Sequence, residues 1–288
     1  MSSPATSPRS LLAAAEQRLA QAGVESPSYD AAELLAHTLG STRGRLALLD
    51  AVEPAAVVRF EALLDRRARR EPLQHLTGTA AFRHVDLAVG PGVYVPRPET
   101  EVLAGWAIEQ AQERALEVPS PVVVDLCTGA GGIAASLVDE VPGATVYAVE
   151  LDAGAHAWAE RNLAGTGVDL RLGDMASSFG DLDGQVDVIT CNPPYIPLEA
   201  WPSVAPEARD HDPALALWSG DDGLDAMRVL EHVAARLLRL GGRVGAEHAD
   251  VQGESAPAVF SAAGRWQEVR DHPDLAGRPR FVTARLAR

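Results

Sequence analysis

With 288 residues, 47% of them apolar, 23% charged and 5% aromatic, the chain has the make-up of a globular enzyme built from one large and one smaller domain, which excludes a fibre, a repeat array and a disordered segment. A formal net charge of −15 opposes direct binding of free DNA or RNA, because such affinity comes largely from neutralising phosphates. All 25 basic residues are arginine, a feature of coding bias that carries no functional reading.

The first ten residues, MSSPATSPRS, are polar, and the apolar run Leu11–Ala15 is broken by Glu16 and Arg18. That run is too short for a signal-peptide core or a membrane span, so the expected location is the cytoplasm, with no membrane partner. The only cysteines, Cys127 and Cys191, each fall at the end of an apolar run that reads as a buried strand, which argues against a disulfide scaffold and fits a reducing compartment. A monomer is expected.

From Ser10 to about Glu71 the apolar positions recur with helical spacing, Leu12, Ala15, Leu19 and Ala22 on one stripe and Val57, Phe60 and Leu64 on another. The spacing predicts a domain of several short helices over residues 1–77, closed by the Glu71-Pro72 step, since the residue before proline disfavours helix. Arg66, Arg67, Arg69 and Arg70 form the densest basic run and read as a solvated face complementing a helix C-terminus, with an acidic surface on a protein partner as the sharper alternative. Residues 78–98 alternate like a hairpin turning near Gly90-Pro91-Gly92, a connector to a third segment, 99–288.

In that third segment apolar runs at 122–126, 145–149, 170–172, 186–191 and 243–246 alternate with helical stretches at 131–141, 154–164 and 224–238. Strands alternating with helices are the pattern of a doubly wound α/β sheet, whose ligands sit at the carboxyl ends of the strands.

The first strand runs through Asp125 into Cys127-Thr128-Gly129-Ala130-Gly131, a turn of small residues that lets backbone approach a ligand, and then into a helix. Glu150 ends the second strand, 19 residues past Gly131, where a carboxylate can accept from both hydroxyls of a ribose. These two features alone also suit a nicotinamide dinucleotide. Gly173-Asp174-Met175 follows the third strand, where an acidic side chain can meet an adenine amino group and Met175 can cover the ring. The ordered set of Asp125, the turn, Glu150, Asp174 and Met175 resembles the S-adenosylmethionine (SAM) motifs of class I methyltransferases; isolated Asp residues that merely cap turns are the bland alternative.

Asn192-Pro193-Pro194-Tyr195 directly follows the strand Val186–Cys191. Consecutive prolines fix φ and remove two N–H donors, leaving carbonyl oxygens that can face a ligand. The Asn192 side-chain oxygen and the Pro193 carbonyl can each accept one N–H of a target –NH₂ group while the Tyr195 ring packs on its flat face. An amide lone pair is delocalised and weakly nucleophilic, so holding both N–H bonds to align it is where such a site has most to gain, on the order of 7–11 kcal/mol in favourable cases. Asn192, Pro193 and Tyr195 are therefore the candidate catalytic residues. Asn192 also borders the cofactor side.

The same four residues resemble the motif of amino-methyltransferases acting on adenine, guanine or glutamine nitrogens. More closely, the chain resembles the HemK/PrmC family over nearly its whole length, through Pro72–Gly78, Val95-Pro96-Arg97-Pro98-Glu99-Thr100-Glu101, Asn192–Tyr195, Asp212–Leu217, Gly220–Leu224 and Asp274–Arg278. That resemblance implies a class I SAM-dependent fold with a small N-terminal helical domain that docks a protein substrate, SAM as cofactor, and peptide chain release factors as substrate, methylated at N5 of the Gly-Gly-Gln glutamine. It also implies that the segment around Arg97 closes one wall of the site. Cys127, Ala130 and Met175 depart from the small or hydroxyl-bearing residues and the Trp expected there, which touches adenine stacking and not the reaction.

A ribosomal-protein glutamine, a nucleic-acid base and, from another class, a non-catalytic SAM- or dinucleotide-binding module are the competing readings. No histidine or cysteine spacing suggests a metal, and neither a Gly-x-Ser-x-Gly elbow nor a phosphate-binding loop is present. Glu247 and His248 follow a strand and suit a pocket wall or a solvent-facing loop equally.

Overall fold

The computed structural model describes residues 6–288, which divide into two compact units. The first runs up to Thr79 and takes in Ala205–His211; the second comprises Ala80–Val204 and Asp212–Arg288.

The first unit holds α1 (Pro8–Gln21), α2 (Pro27–Thr38), α3 (Arg43–Leu46), α4 (Pro54–Ala68) and α5 (Leu73–Thr77). Proline opens α1, α2 and α4, where its missing N–H is one of the donors a helix start leaves unpaired anyway. The buried stripe of α1 is Leu11, Ala15 and Leu19, and that of α4 is Ala56, Phe60 and Leu64; with Leu34 and Leu35 of α2 they form one apolar core. Pro72 separates α4 from α5 and does not end the helical region, because a proline placed just before a helix caps it as readily as it stops the one preceding.

The arginine run at the end of α4 is not a solvated face. Arg67 is buried, its Nε bonded to Asp30 at 2.7 Å and its Nη2 to Glu207 at 2.9 Å; Arg70 donates to both oxygens of Glu207, and Arg66 to both oxygens of Glu71. Three of the four guanidiniums thus have intramolecular carboxylates, and a buried guanidinium is tolerated only when paired in this way.

In the second unit, β1 (Thr79–Phe82) and β2 (Val85–Ala88) form the hairpin expected between the domains. It turns at Arg83-His84, not at Gly90-Pro91-Gly92, which makes a later turn of its own. Arg83 takes a positive φ of 51°, and its guanidinium is held by both oxygens of Glu140 at 2.6 and 2.7 Å, a long-range pairing that offsets a residue type disfavoured there.

Then follow α6 (Thr100–Ala115), β3 (Val122–Leu126), α7 (Gly132–Glu140), β4 (Thr145–Glu150), α8 (Ala153–Leu163), β5 (Asp169–Leu172) and β6 (Val186–Cys191). After α9 (Pro206–His211), which belongs to the first unit, come α10 (Asp225–Leu237), β7 (Leu238–Glu247), α11 (Ser255–Ala262), β8 (Trp266–Pro273) and β9 (Pro279–Leu286). The seven-stranded sheet has the order β5-β4-β3-β6-β7-β9-β8, with β9 antiparallel to both its neighbours.

Successive residues of a strand face opposite sides. Val123 and Val188 accordingly pack with α6, α7 and α8, whereas Val124 and Ile189 pack with α10 and α11. Strand order reverses between β3 and β6, so the crevice at their carboxyl ends is where such a sheet takes its ligand. Among the described residues no helix is long and apolar enough to cross a membrane.

Candidate active site

The register of the two central strands pairs Leu126 with Cys191, which sets the turn beginning at Cys127 beside the one beginning at Asn192. Each turn is built differently.

The β3 turn is held by carboxylates. Asp125, 1% exposed, accepts from the Thr128 hydroxyl at 2.6 Å and from the Thr190 hydroxyl at 2.8 Å, so it ties the turn to β6 from beneath. Burial pushes its carboxyl up to about 6, against the pull of those two hydroxyl donors. Glu150 accepts from the backbone N–H of Gly129 and of Asp152, each at 2.9 Å, and so fixes the ends of β3 and β4 to one another. Gly129 and Gly131 have φ of +57° and +86°; beyond Gly129 lies open space, the cradle that a bound group would fill. Cys127, φ +57°, places its sulfur 3.9 Å from that of Met175, and Thr128 and Ala130 are buried. Asp174 is exposed and accepts from Ala176 N at 2.8 Å.

The β6 turn is held by hydroxyls and amides from distant segments. Asn192 Nδ2 lies 3.2 Å from the Thr100 hydroxyl, Thr100 donates to Glu247 at 2.7 Å, and the Tyr195 hydroxyl donates to the other Glu247 oxygen at 3.0 Å. Glu247, the last residue of β7, is 1% exposed and His248 fully buried, so neither sits in a solvent-facing loop. Burial, followed by the charge of Glu247, raises the Tyr195 hydroxyl well above its ordinary value and keeps it protonated.

The backbone beyond the motif is clamped as well. Tyr195 O accepts from Gln252 Nε2 at 3.1 Å, and a Cβ on Gly223, whose φ is +76°, would come within 2.3 Å of that same oxygen. Pro193 is buried and Pro194 half-buried. Arg97 donates to Asp212 at 2.8 Å and lies over the Tyr94 ring. Burial pushes Asp212 up to about 6, with the Arg97 charge opposing.

The predicted residues thus come together in two groups, Asp125, Cys127–Gly131, Glu150 and Met175 around one turn and Asn192–Tyr195 around the other, with Asp174 at the exposed edge of the first. Gln252 carried no sequence signal as part of the site; Thr100 lies in the segment that the resemblance assigns to one wall, and Glu247 takes the pocket-wall reading over the solvent-facing loop.

The chain is similar to known proteins over most of its length. Residues 10–78 match the model of the PrmC N-terminal domain, and 110–201 that of the methyltransferase small domain. The chain is 55% identical to a release factor glutamine methyltransferase of Streptomyces coelicolor, over 96% of this chain and 97% of that one. It is 43% identical to a 4-amino-L-phenylalanine/4-methylamino-L-phenylalanine methyltransferase of Streptomyces pristinaespiralis, over 75% and 74% of the two chains. A methyltransferase structure from Pyrococcus furiosus superposes with a TM-score of 0.50 at 18% identity, over 77% of this chain and 98% of that one.

Proposed function

We infer that this chain, which belongs to the release factor glutamine methyltransferase family, transfers a methyl group from SAM to the side-chain N5 of the glutamine in the Gly-Gly-Gln motif of peptide chain release factors. The observation that carries the reading is the Leu126–Cys191 register, which sets an outward-opening glycine turn against an amide-binding motif at one reversal of the sheet.

SAM supplies an electrophilic sulfonium methyl. For holding it the chain offers the Cys127–Gly131 turn and the Glu150 carboxylate, which keeps lone pairs for ribose hydroxyls beyond those used by Gly129 and Asp152. Leu151 and Met175 offer apolar cover for adenine, and Asp174 an acceptor at its edge. Asp125 acts indirectly, by fixing the turn.

On the substrate side, Asn192 Oδ1 and the Pro193 carbonyl accept the two N–H bonds of the glutamine amide, and the Tyr195 ring covers its face, with Arg97 in the adjoining wall. Both acceptors favour the positive charge that grows on nitrogen as the new C–N bond forms. The methylated nitrogen is acidic and sheds its proton afterwards, so no strong base is needed. That agrees with the neutral Tyr195 hydroxyl and with the Glu247 carboxylate being engaged by two donors.

The test is incubation with labelled SAM and purified release factor, followed by peptide mass spectrometry, with 4-amino-L-phenylalanine and ribosomal protein as parallel acceptors. Label on the Gly-Gly-Gln glutamine, lost in Asn192→Ala, is the expected result. Label only on the aromatic amine or ribosomal protein would keep the chemistry and overturn the substrate.

A further inference from the structure

Two residues outside the Asn-Pro-Pro-Tyr motif bond to its side chains. Thr100 stands at the start of α6 and Glu247 at the end of β7; both are buried, and they meet Asn192 and Tyr195 in one connected set of hydrogen bonds. A carboxamide has one accepting end and one donating end, and turning it over exchanges them with almost no change in shape. An Asn192 with its –NH₂ toward the substrate would set donor against donor and repel the –NH₂ it is meant to hold.

We propose that Thr100 and Glu247 are positioning residues that lock the Asn192 carboxamide in the one orientation able to accept a substrate N–H. The direction follows from counting protons. The Thr100 hydroxyl donates its single proton to Glu247 at 2.7 Å. With that proton committed, Thr100 Oγ1 offers Asn192 only lone pairs, so the group turned toward it at 3.2 Å is Nδ2, and Oδ1 is left for the substrate. The second Glu247 oxygen takes the Tyr195 proton in the same way, which fixes the ring that covers the amide face.

Burial pushes the Glu247 carboxyl up, with the two hydroxyl donors and the nearby Arg280 charge opposing; Glu99 is the like charge facing it. The whole set is out of solvent except at Asn192 and Tyr195, so water does not compete for the bonds that set the direction.

The proposal rests on the amide-methylation reading, and the two fail in different experiments. The reading fails with the wild-type enzyme, if no carboxamide is labelled. The lock fails only in variants. Thr100→Val keeps the shape and removes the hydroxyl; kcat on release factor should fall roughly tenfold to a hundredfold while the SAM Kd, by calorimetry, stays within about twofold. Thr100→Ser, which restores the hydroxyl, should recover most of the rate. In an Asn192→Ala background Thr100→Val should cost nothing further, because the hydroxyl acts only through that amide.

Independently of turnover, the side-chain amide proton signals of Asn192, assigned by their loss in Asn192→Ala, should move in Thr100→Val. An unchanged kcat, a loss that follows SAM affinity and Tm instead of kcat, an equal further loss without Asn192, or unmoved amide signals would each overturn the lock. If the valine variant does not fold, Thr100→Ala is judged on the same measurements.

Discussion

The two turns at the centre of the sheet follow adjacent strands yet are held in different ways. The β3 turn is a run of small residues braced by Asp125 and Glu150, with the N–H groups of Thr128, Gly129 and Gly131 donating to Val149 O, the Glu150 carboxylate and Thr128 O. The β6 turn has lost two N–H donors to proline and is braced by Thr100, Glu247 and Gln252 from three other segments. The contrast teaches that a turn of small residues can be fixed by its own backbone and by acids on two neighbouring strands, whereas a turn whose N–H donors proline has removed is held by side chains from outside segments.

Substitutions should separate the two. Asn192→Ala should show the largest effect, a loss of about a hundredfold to a thousandfold in kcat with SAM binding retained, the range found when a single preorganised transition-state partner is removed. A calorimetric titration showing SAM affinity lost in parallel would mean that the turns do not act separately.

Next is a dependence on pH centred on Asp125, which ties the β3 turn to strand β6. Burial raises its folded carboxyl to about 6, above the unfolded value near 3.9, so between about 4 and 6 the folded chain binds a proton that the unfolded chain does not. Stability from this group should therefore fall as pH rises from about 4 to 6, by on the order of 3 kcal/mol. Asp212, raised by burial to the same value, contributes with the same sign. Asp125→Asn should flatten the slope of Tm against pH without abolishing it; an unaltered slope would refute the assignment.

Glu150→Ala should weaken SAM binding about tenfold to a hundredfold, as expected for losing hydrogen bonds to a charged group, with a smaller change in kcat at saturating SAM. Gly223→Ala should have the mildest effect on chemistry. Its Cβ would press on Tyr195 O from a φ of +76°, so Tm should drop by the equivalent of about 1–3 kcal/mol, with KM for the release factor rising more than the SAM Kd.

Legibility in the sequence divided along the same line. Strands β3 and β6 and the turns after them were readable because each is a short apolar run ending in residues with strong local constraints. Thr100 read as part of a helix start that the resemblance places along one wall, and Glu247 was ambiguous, because their bonds to the motif exist only once α6, β6 and β7 converge on one point. The last two strands went unread for another reason. In β8, Trp266-Gln267-Glu268-Val269-Arg270-Asp271-His272-Pro273, charged and polar residues outnumber apolar ones, as befits an edge strand, and nothing in its spacing sets it apart from a loop. The hairpin turn at Arg83-His84 was hidden behind the stronger Gly-Pro-Gly signal, since what supports it is Glu140, far along the chain.

The helix Pro206–His211 has a practical consequence for anyone cutting this protein into parts. It lies between two stretches of the sheet-bearing unit, yet it counts with the helical one, and it carries the carboxylate that neutralises Arg67 and Arg70. No single scissors cut separates the halves. A fragment ending at Thr79 would keep a buried arginine stripped of one of its two counter-charges, and a fragment starting at Ala80 would carry an orphaned helix with an acid and no base to meet it. A faithful dissection would have to graft residues 205–211 onto the amino-terminal piece and close the gap in the other with a short linker.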